Sequence, residues 1–473
     1  MLAREKNLKS KYSISHWVPK NYYKTFIIFL VFVGLLITLN IFCRYIDKTI
    51  IDFDCPKYWP ISIFRLYIPH VKNLLAGIIA LILFYLSNKY LRKIKYQIIT
   101  VIFVGIIFVL STNLIKGWAN GFIMPIAGGL SRDKYSFISL DEKKGGQYFH
   151  DAKKIRNLAD LFKNYERLQP GLSIHTKTHP PGAVFIIYLI SKIYNYPGFI
   201  TLVIAVTSIF LSTFFLFQIL KINFSSELSG YLAFLFTLIP SIQIYYAASL
   251  DALIASFLLG VLYFFLHHKT SISYIGSLIF LLLASMTTFV FLFILPVMIG
   301  YDLLKRKSLK RSGFIILGLG IIYLIIYLLL NFNYLNSFLI ASKLENPHGF
   351  RLFYEPVNYL FTRIECICEI ILFFGPYLSI LMVQGIVVMK RKRLNSMTSL
   401  TWLAIFTLIT IFATGAFHTA ETARVCLFIY PYLIFPIGFF LKYTKVSPKE
   451  KNTLLYLIFL QTIIMQIGGN YFW

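Results

Sequence analysis

The chain has 473 residues, with 46 Lys and Arg against 19 Asp and Glu and a formal net charge of +27. Hydrophobic residues make up 58% and aromatics 18%, and only 14% are charged, against roughly 25% in soluble domains. This excludes an ordinary soluble enzyme, a disordered chain and a disulfide scaffold; recurring apolar runs of ~20 residues mark a polytopic membrane protein.

Residues 1–24 carry Arg4, Lys6, Lys9, Lys11, Lys20 and Lys24 against one acid, Glu5. They lead into a long apolar run with no small-residue cleavage site, which reads as a retained first span with its N-terminus in the cytoplasm. The basic residues fall in short clusters between apolar runs. That is the positive-inside pattern, not the footprint of a nucleic-acid partner. Cys43, Cys55, Cys366, Cys368 and Cys426 are scattered, and the close pair Cys366 and Cys368 has no second pair to complete a zinc site.

Spans are expected over 26–43, 71–90 and 97–115, followed by the longest polar stretch, 116–179, on the outer side. The clusters Lys305 to Arg311, Lys390 to Arg393 and Lys442 to Lys451 belong inside. Spans at 198–220, 227–244, 252–268, 273–285, 286–303, 313–331, 366–388, 397–415, 425–441 and 453–469 satisfy all three, and 273–303 is readable as one kinked span. Segment 180–195 starts at Pro180-Pro181, is short and amphipathic, and is expected as a re-entrant or juxtamembrane helix. The result is an all-α membrane protein of about 13 spans with outer-face juxtamembrane helices. Its three parts are 1–115 (basic N-terminus and three spans), 116–197 (outer loop with the Pro-Pro helix) and 198–473 (the transmembrane bundle).

Most of the unusual polar residues then gather on the outer side, which points to a site rather than a through-pathway. Asp141 and Glu142 precede Gln147-Tyr148-Phe149-His150-Asp151-Ala152, and an amphipathic helix is expected from Asp151 to Tyr165. Any of these acids near the membrane surface is placed to act as a general base, and each also reads as an ordinary surface acid. His175-Thr176-Lys177-Thr178-His179 runs directly into Pro180-Pro181. Pro suits the first turn of a helix, whose free N–H groups favour an anion, with Lys177 and the two His beside it. A metal site from His175 and His179 lacks a third ligand. Asp251 begins a helix, where a carboxylate also serves as a cap. In His418-Thr419-Ala420-Glu421-Thr422-Ala423-Arg424, Glu421 and Arg424 are spaced to pair, and Arg suits a bidentate phosphate contact or simple snorkelling. Asp52-Phe53-Asp54 has the spacing of a metal–diphosphate motif, a short pattern that arises often by chance. Arg351, Arg363, Glu365 and Glu369 surround a loop end, where charge pairing explains them.

In this order the pieces resemble the GT-C class of membrane glycosyltransferases, which use polyprenyl-phosphate sugars and include protein O-mannosyltransferases and lipid A aminoarabinose transferases. The resemblance lies in Asp141-Glu142, Tyr148 and Asp151-Ala152, then Thr178-His179-Pro180-Pro181-Gly182, then Tyr246-Ala247-Ala248-Ser249-Leu250-Asp251-Ala252, and last Glu421, Arg424 and Tyr430-Pro431. It covers about 116–440; the family has one span before the acidic loop where this chain has three.

The resemblance implies an inverting, mannosyltransferase-like enzyme of the cell envelope. It would lie multi-pass in the plasma or inner membrane with its active site on the outer face. The donor would be a polyprenyl-phosphate sugar, and the acceptor a glycan, lipid or protein. Asp151 would be the base, with Asp141 or Glu142 as alternatives. Tyr148, His175, Lys177, His179, Asp251, His418, Glu421 and Arg424 would bind substrate, with Arg424 and Lys177 on the phosphate. No cofactor is expected; a divalent metal is possible but not required, since Arg and Lys can stabilise the leaving phosphate. Two other classes fit the composition. A flippase or transporter would carry charges in mid-span and inverted repeats, and few such charges and no repeat are found. A polysaccharide polymerase or ligase would share the large outer loop, but has no need of the Pro-Pro turn followed by Asp251.

Overall fold

A computed structural model describes residues 70–128, 147–155, 157–173, 175–247, 249–267, 270–417, 421–444 and 446–471. It adds a few isolated positions before residue 70 and two short strand pairs. Cys43, Cys55, Asp52-Phe53-Asp54, Asp141, Glu142 and His418 lie outside the described residues. The chain is built almost wholly from helices: α1 Val71–Lys93, α2 Ile98–Leu114, α3 Tyr148–Lys154, α4 Leu158–Leu168, α5 Gly182–Ile193 and α6 Pro197–Leu220. These are followed by α7 Ser226–Thr237, α8 Pro240–Tyr245, α9 Leu250–Leu266, α10 Ser271–Thr287, α11 Ile294–Tyr301 and α12 Lys310–Leu330. The last are α13 Tyr334–Glu345, α14 Pro356–Phe374, α15 Pro376–Arg391, α16 Asn395–Ala413, α17 Thr422–Val425, α18 Tyr430–Tyr443 and α19 Pro448–Gly468.

Among the described residues, 4 helices (α1, α6, α12 and nearly all of α16) suit a membrane crossing by length and composition, or 5 with the bent pair α14 and α15. Their surfaces fit hydrocarbon. On α12, Phe314, Leu317, Leu324 and Leu328 all point outward, and only 11% of its apolar window is buried within the fold. An apolar face of that extent is not a water-facing surface. In the interior, α9 packs against both α6 and α10, and α15 against α18.

Three expected spans are broken, two of them at a proline that cannot continue a helix. The span at 227–244 parts between Thr237 and Pro240, because Pro pushes the preceding Ile239 out of the helical region and brings no N–H. The span at 366–388 bends by 97° at Gly375, where φ is 103° and Pro376 follows. The span at 286–303 starts from extended Thr288, takes a tight turn over Phe289–Phe293, and becomes α-helical only from Ile294.

Carbonyls freed inside apolar surroundings must find other donors. Leu372 loses the N–H that Pro376 lacks and accepts instead from Gln461 Nε2 at 2.8 Å. Leu238, at the other break, accepts from the neighbouring Thr462 hydroxyl at 2.9 Å, and Thr237 O accepts from Gln243 Nε2. Adjacent residues of α19 thus serve both breaks.

The helix expected from Asp151 to Tyr165 is two helices, since Asn157 caps a new one by accepting from Ala159 N at 3.0 Å. Segment 180–195 forms α5, whose 12 residues span only about 18 Å. Gly182 lets its first turn approach the Met286 carbonyl, where a Cβ would clash with the backbone. That contact sets the Pro-Pro turn against the end of α10, beside the Thr288 break.

Candidate functional site

One cavity of about 490 Å³ gathers most of the described polar residues singled out above. The turn before α5 brings His175, Thr178 and His179 to it, α3 brings Tyr148, the start of α9 brings Asp251, and the α17 turn brings Glu421 and Arg424. Apolar side chains line the cavity as well, among them Phe289, Val290, Leu292, Phe338, Ile411 and Phe417.

Arg424 organises the polar end. Its Nε lies 3.4 Å from Asp251 Oδ2 and its Nη2 3.6 Å from Glu421 Oε2. The three side chains are only 13%, 15% and 21% exposed, so water screens these pairs less than it does surface pairs. Ser249, not Asp251, is the N-cap of α9: its Oγ accepts from Asp251 N at 3.0 Å and donates to Asp251 Oδ2 at 3.1 Å. Asp251 sits in the first turn, where the helix dipole favours a carboxylate. The α17 turn is held from behind by α14: Glu369 Oε2 accepts from Ala423 N at 3.1 Å, and Thr422 donates to Cys366 Sγ at 3.1 Å.

The histidine turn is equally fixed. His179 Nδ1 lies 2.7 Å from the His175 carbonyl, and Tyr165 donates to the His179 carbonyl at 2.5 Å. Tyr148 OH stands 3.3 Å from His179 Nε2, with the two rings edge to face. Burial pushes the His175 imidazole down to about 3, helped by the nearby charges of Arg424 and His179. Burial also lowers His179, against the opposing pull of Asp251, and raises the Tyr148 phenol. Both imidazoles are therefore neutral at pH 7 and Tyr148 keeps its proton.

Two expectations do not carry over to this cavity. Asp151, expected as the base, does not line it. Its carboxylate accepts from Ser173 N at 2.9 Å and from Ser173 Oγ at 2.6 Å, with Lys154 at 3.3 Å. It ties α3 to the start of the histidine turn. Lys177, expected on a phosphate, does not line the cavity either; its backbone carbonyl accepts from Gln169 Nε2 at 3.0 Å.

Glu345, near the end of α13, lines the cavity although its sequence neighbourhood offers no motif. Among the described residues no group of three or more His, Cys, Asp or Glu is placed to hold a metal ion. Compared with protein-family models, curated proteins and solved structures, the chain matches none.

Proposed function

We propose that the chain is a GT-C-type glycosyltransferase of about 13 spans, working at the outer face of the plasma or inner membrane. In this reading it transfers a sugar from a polyprenyl-phosphate donor to an acceptor hydroxyl of a glycan, lipid or protein. The observation that carries the reading is the mixed lining of the cavity. An ion-paired guanidinium shares it with Phe289, Val290, Leu292, Phe338 and Phe417, of which Leu292 is 43% exposed. A ligand with an anionic, hydroxyl-rich head and a long hydrocarbon tail matches that mixture.

The anionic phosphate sits against Arg424, whose planar fork grips two oxygens. Asp251 and Glu421 hold the fork in place. The acceptor oxygen attacks the anomeric carbon from the face opposite the phosphate, the carbon–oxygen bond to phosphate breaks, and the product sugar is inverted. Arg424 stabilises the negative charge that grows on the leaving phosphate. This reading places no metal in the step. Asp151 is set aside as the base because its carboxylate is turned to Ser173; Asp141 and Glu142 are the carboxylates the resemblance keeps.

The test uses purified protein in lipid vesicles with a short-chain polyprenyl-phosphate sugar and extracted envelope acceptors. Release of polyprenyl phosphate that depends on protein and acceptor, and that survives a metal chelator, is the expected result. No release from any polyprenyl-phosphate hexose or pentose would remove the reading.

A further inference from the structure

Building on that reading, we propose that His179, through Nε2, is the group that takes the proton from the acceptor hydroxyl. Four observations lead there. His179 lines the cavity. Its Nδ1 lies 2.7 Å from the His175 carbonyl, an acceptor only, so Nδ1 carries the ring proton and Nε2 the lone pair. Tyr148 OH stands 3.3 Å from Nε2 and 3.4 Å from Nδ1, so it sits beside the ring and leaves the direction of the Nε2 lone pair to an incoming hydroxyl. The backbone around it is pinned: Tyr165 donates to the His179 carbonyl, and Asp151 holds Ser173, whose hydroxyl is bonded to Thr176 at 2.7 Å.

Three of the described carboxylates near the site have other work, and Glu345, which also lines the cavity, is the one tested against His179 below. Asp251 and Glu421 flank Arg424, and Asp151 faces Ser173. A base that is already neutral needs no unpaired carboxylate beside an anionic phosphate. In the step, the acceptor O–H bond breaks and its proton goes to Nε2. The oxygen's electron pair forms the new bond to the anomeric carbon, and the electron pair of the old bond leaves with the phosphate. The imidazolium is then stabilised by Asp251 until it gives its proton to water.

The groups facing His179 are Tyr148 from α3, Tyr165 from α4, His175 from its own turn, Asp251 from α9, Glu345 from α13 and Arg424 from α17. Burial raises Tyr148 and Tyr165, so both phenols keep their protons between pH 4 and 8. The donor is a phosphodiester and does not titrate there either. Burial lowers His179, so activity is expected to fall as pH drops through a value below the usual 6.5.

The experiment measures kcat and KM for the short-chain donor from pH 4 to 8 in the full-length protein. The variants are His179→Asn, Tyr148→Phe, Glu345→Gln, Asp141→Asn and Glu142→Gln. Asn can still donate to the His175 carbonyl but offers no basic nitrogen. His179→Asn is expected to lower kcat by roughly 10²–10⁴-fold, to leave the donor KM within about threefold of the parent, and to abolish the acid limb. Tyr148→Phe should keep that limb. Near-normal kcat in His179→Asn overturns the proposal. So does an acid limb that survives in it and disappears in Glu345→Gln, Asp141→Asn or Glu142→Gln. If His179→Asn does not accumulate, two other measurements decide. The wild-type profile must show the acid limb, and imidazole must restore turnover to His179→Ala; failure of either overturns the proposal. Wild-type turnover of the donor with these results negative separates failure of the His179 role from failure of the transferase reading, whereas a wild type with no turnover removes both.

Discussion

Arg424 Nε lies 3.4 Å from Asp251 Oδ2, so a turn late in the chain is joined to the first turn of α9 by an ion pair at the head of the cavity. The pair Arg424 and Glu421 is legible from sequence spacing, but the partner across the fold is the nearer of the two. Arg424→Lys keeps the charge and loses the fork. It is expected to raise the donor KM by about tenfold or more, ~1.4 kcal/mol, with unchanged thermal stability in detergent. Asp251→Asn should raise it more than Glu421→Gln, because Asp251 is both closer and less exposed. Unchanged donor kinetics in Arg424→Lys would return the residue to membrane-interface packing.

The helical class is readable from the length of the apolar runs, and the breaks are readable in principle from Pro240 and from Gly375-Pro376. A window of span length averages those residues away, which is why the expected spans run straight through them. The site is less legible. Acids and His residues stand out against an apolar chain, so Asp251, His179, Glu421 and Arg424 are visible as candidates. Which way each side chain faces depends on contacts across the fold. Asp151 looks like a base because the sequence pattern runs an amphipathic helix on from it; Ser173, which claims the carboxylate, carries no pattern of its own.

The bend at Gly375 yields a stability measurement. With φ at 103°, Gly375→Ala puts a Cβ where L residues are strained, and Gln461 and Ile458 side chains crowd the position at 3.1 Å. A loss of about 1–3 kcal/mol is expected. Gln461→Leu leaves the Leu372 carbonyl without its donor in an apolar setting and should also cost about 1–3 kcal/mol. Thermal unfolding in one detergent reads both. A Gln461→Leu protein as stable as the parent would show that water or another donor reaches Leu372.

Sidedness decides whether the mechanism faces the right compartment. Single cysteines at positions 145 and 308, in a background without the native cysteines, are to be labelled with a membrane-impermeant maleimide on intact cells. Position 145 should label and position 308 should not, if the Lys305 to Arg311 cluster follows the positive-inside rule. The reverse pattern would put the Arg424 end of the cavity in the cytoplasm and exclude an outer-face reaction.

Asp151 is the residue whose expected role changes most. Its side chain is 1% exposed, while its cationic neighbour Lys154 is 71% exposed. That ion pair is screened on the Lys side and contributes little. The two bonds from Ser173, at 2.9 and 2.6 Å, are the ones that matter. Both Ser173 donors reach the same oxygen, Oδ2, so Asp151→Asn can accept both through its amide oxygen and loses only the contact with exposed Lys154. Asp151→Ala removes the acceptor, leaves both Ser173 donors unmet in a buried place at a cost of about 1–3 kcal/mol, and loosens the histidine turn at its start. Ser173→Ala removes the hydroxyl and leaves the backbone bond, so it should cost less. If Asp151 acts only by position, Asp151→Asn keeps kcat near normal and keeps the acid limb of the pH profile, whereas Asp151→Ala lowers the melting temperature. If it were the base, Asp151→Asn would lower kcat by roughly 10²–10⁴-fold and the acid limb would vanish. One pH series on Asp151→Asn and one melting curve on Asp151→Ala assign the role.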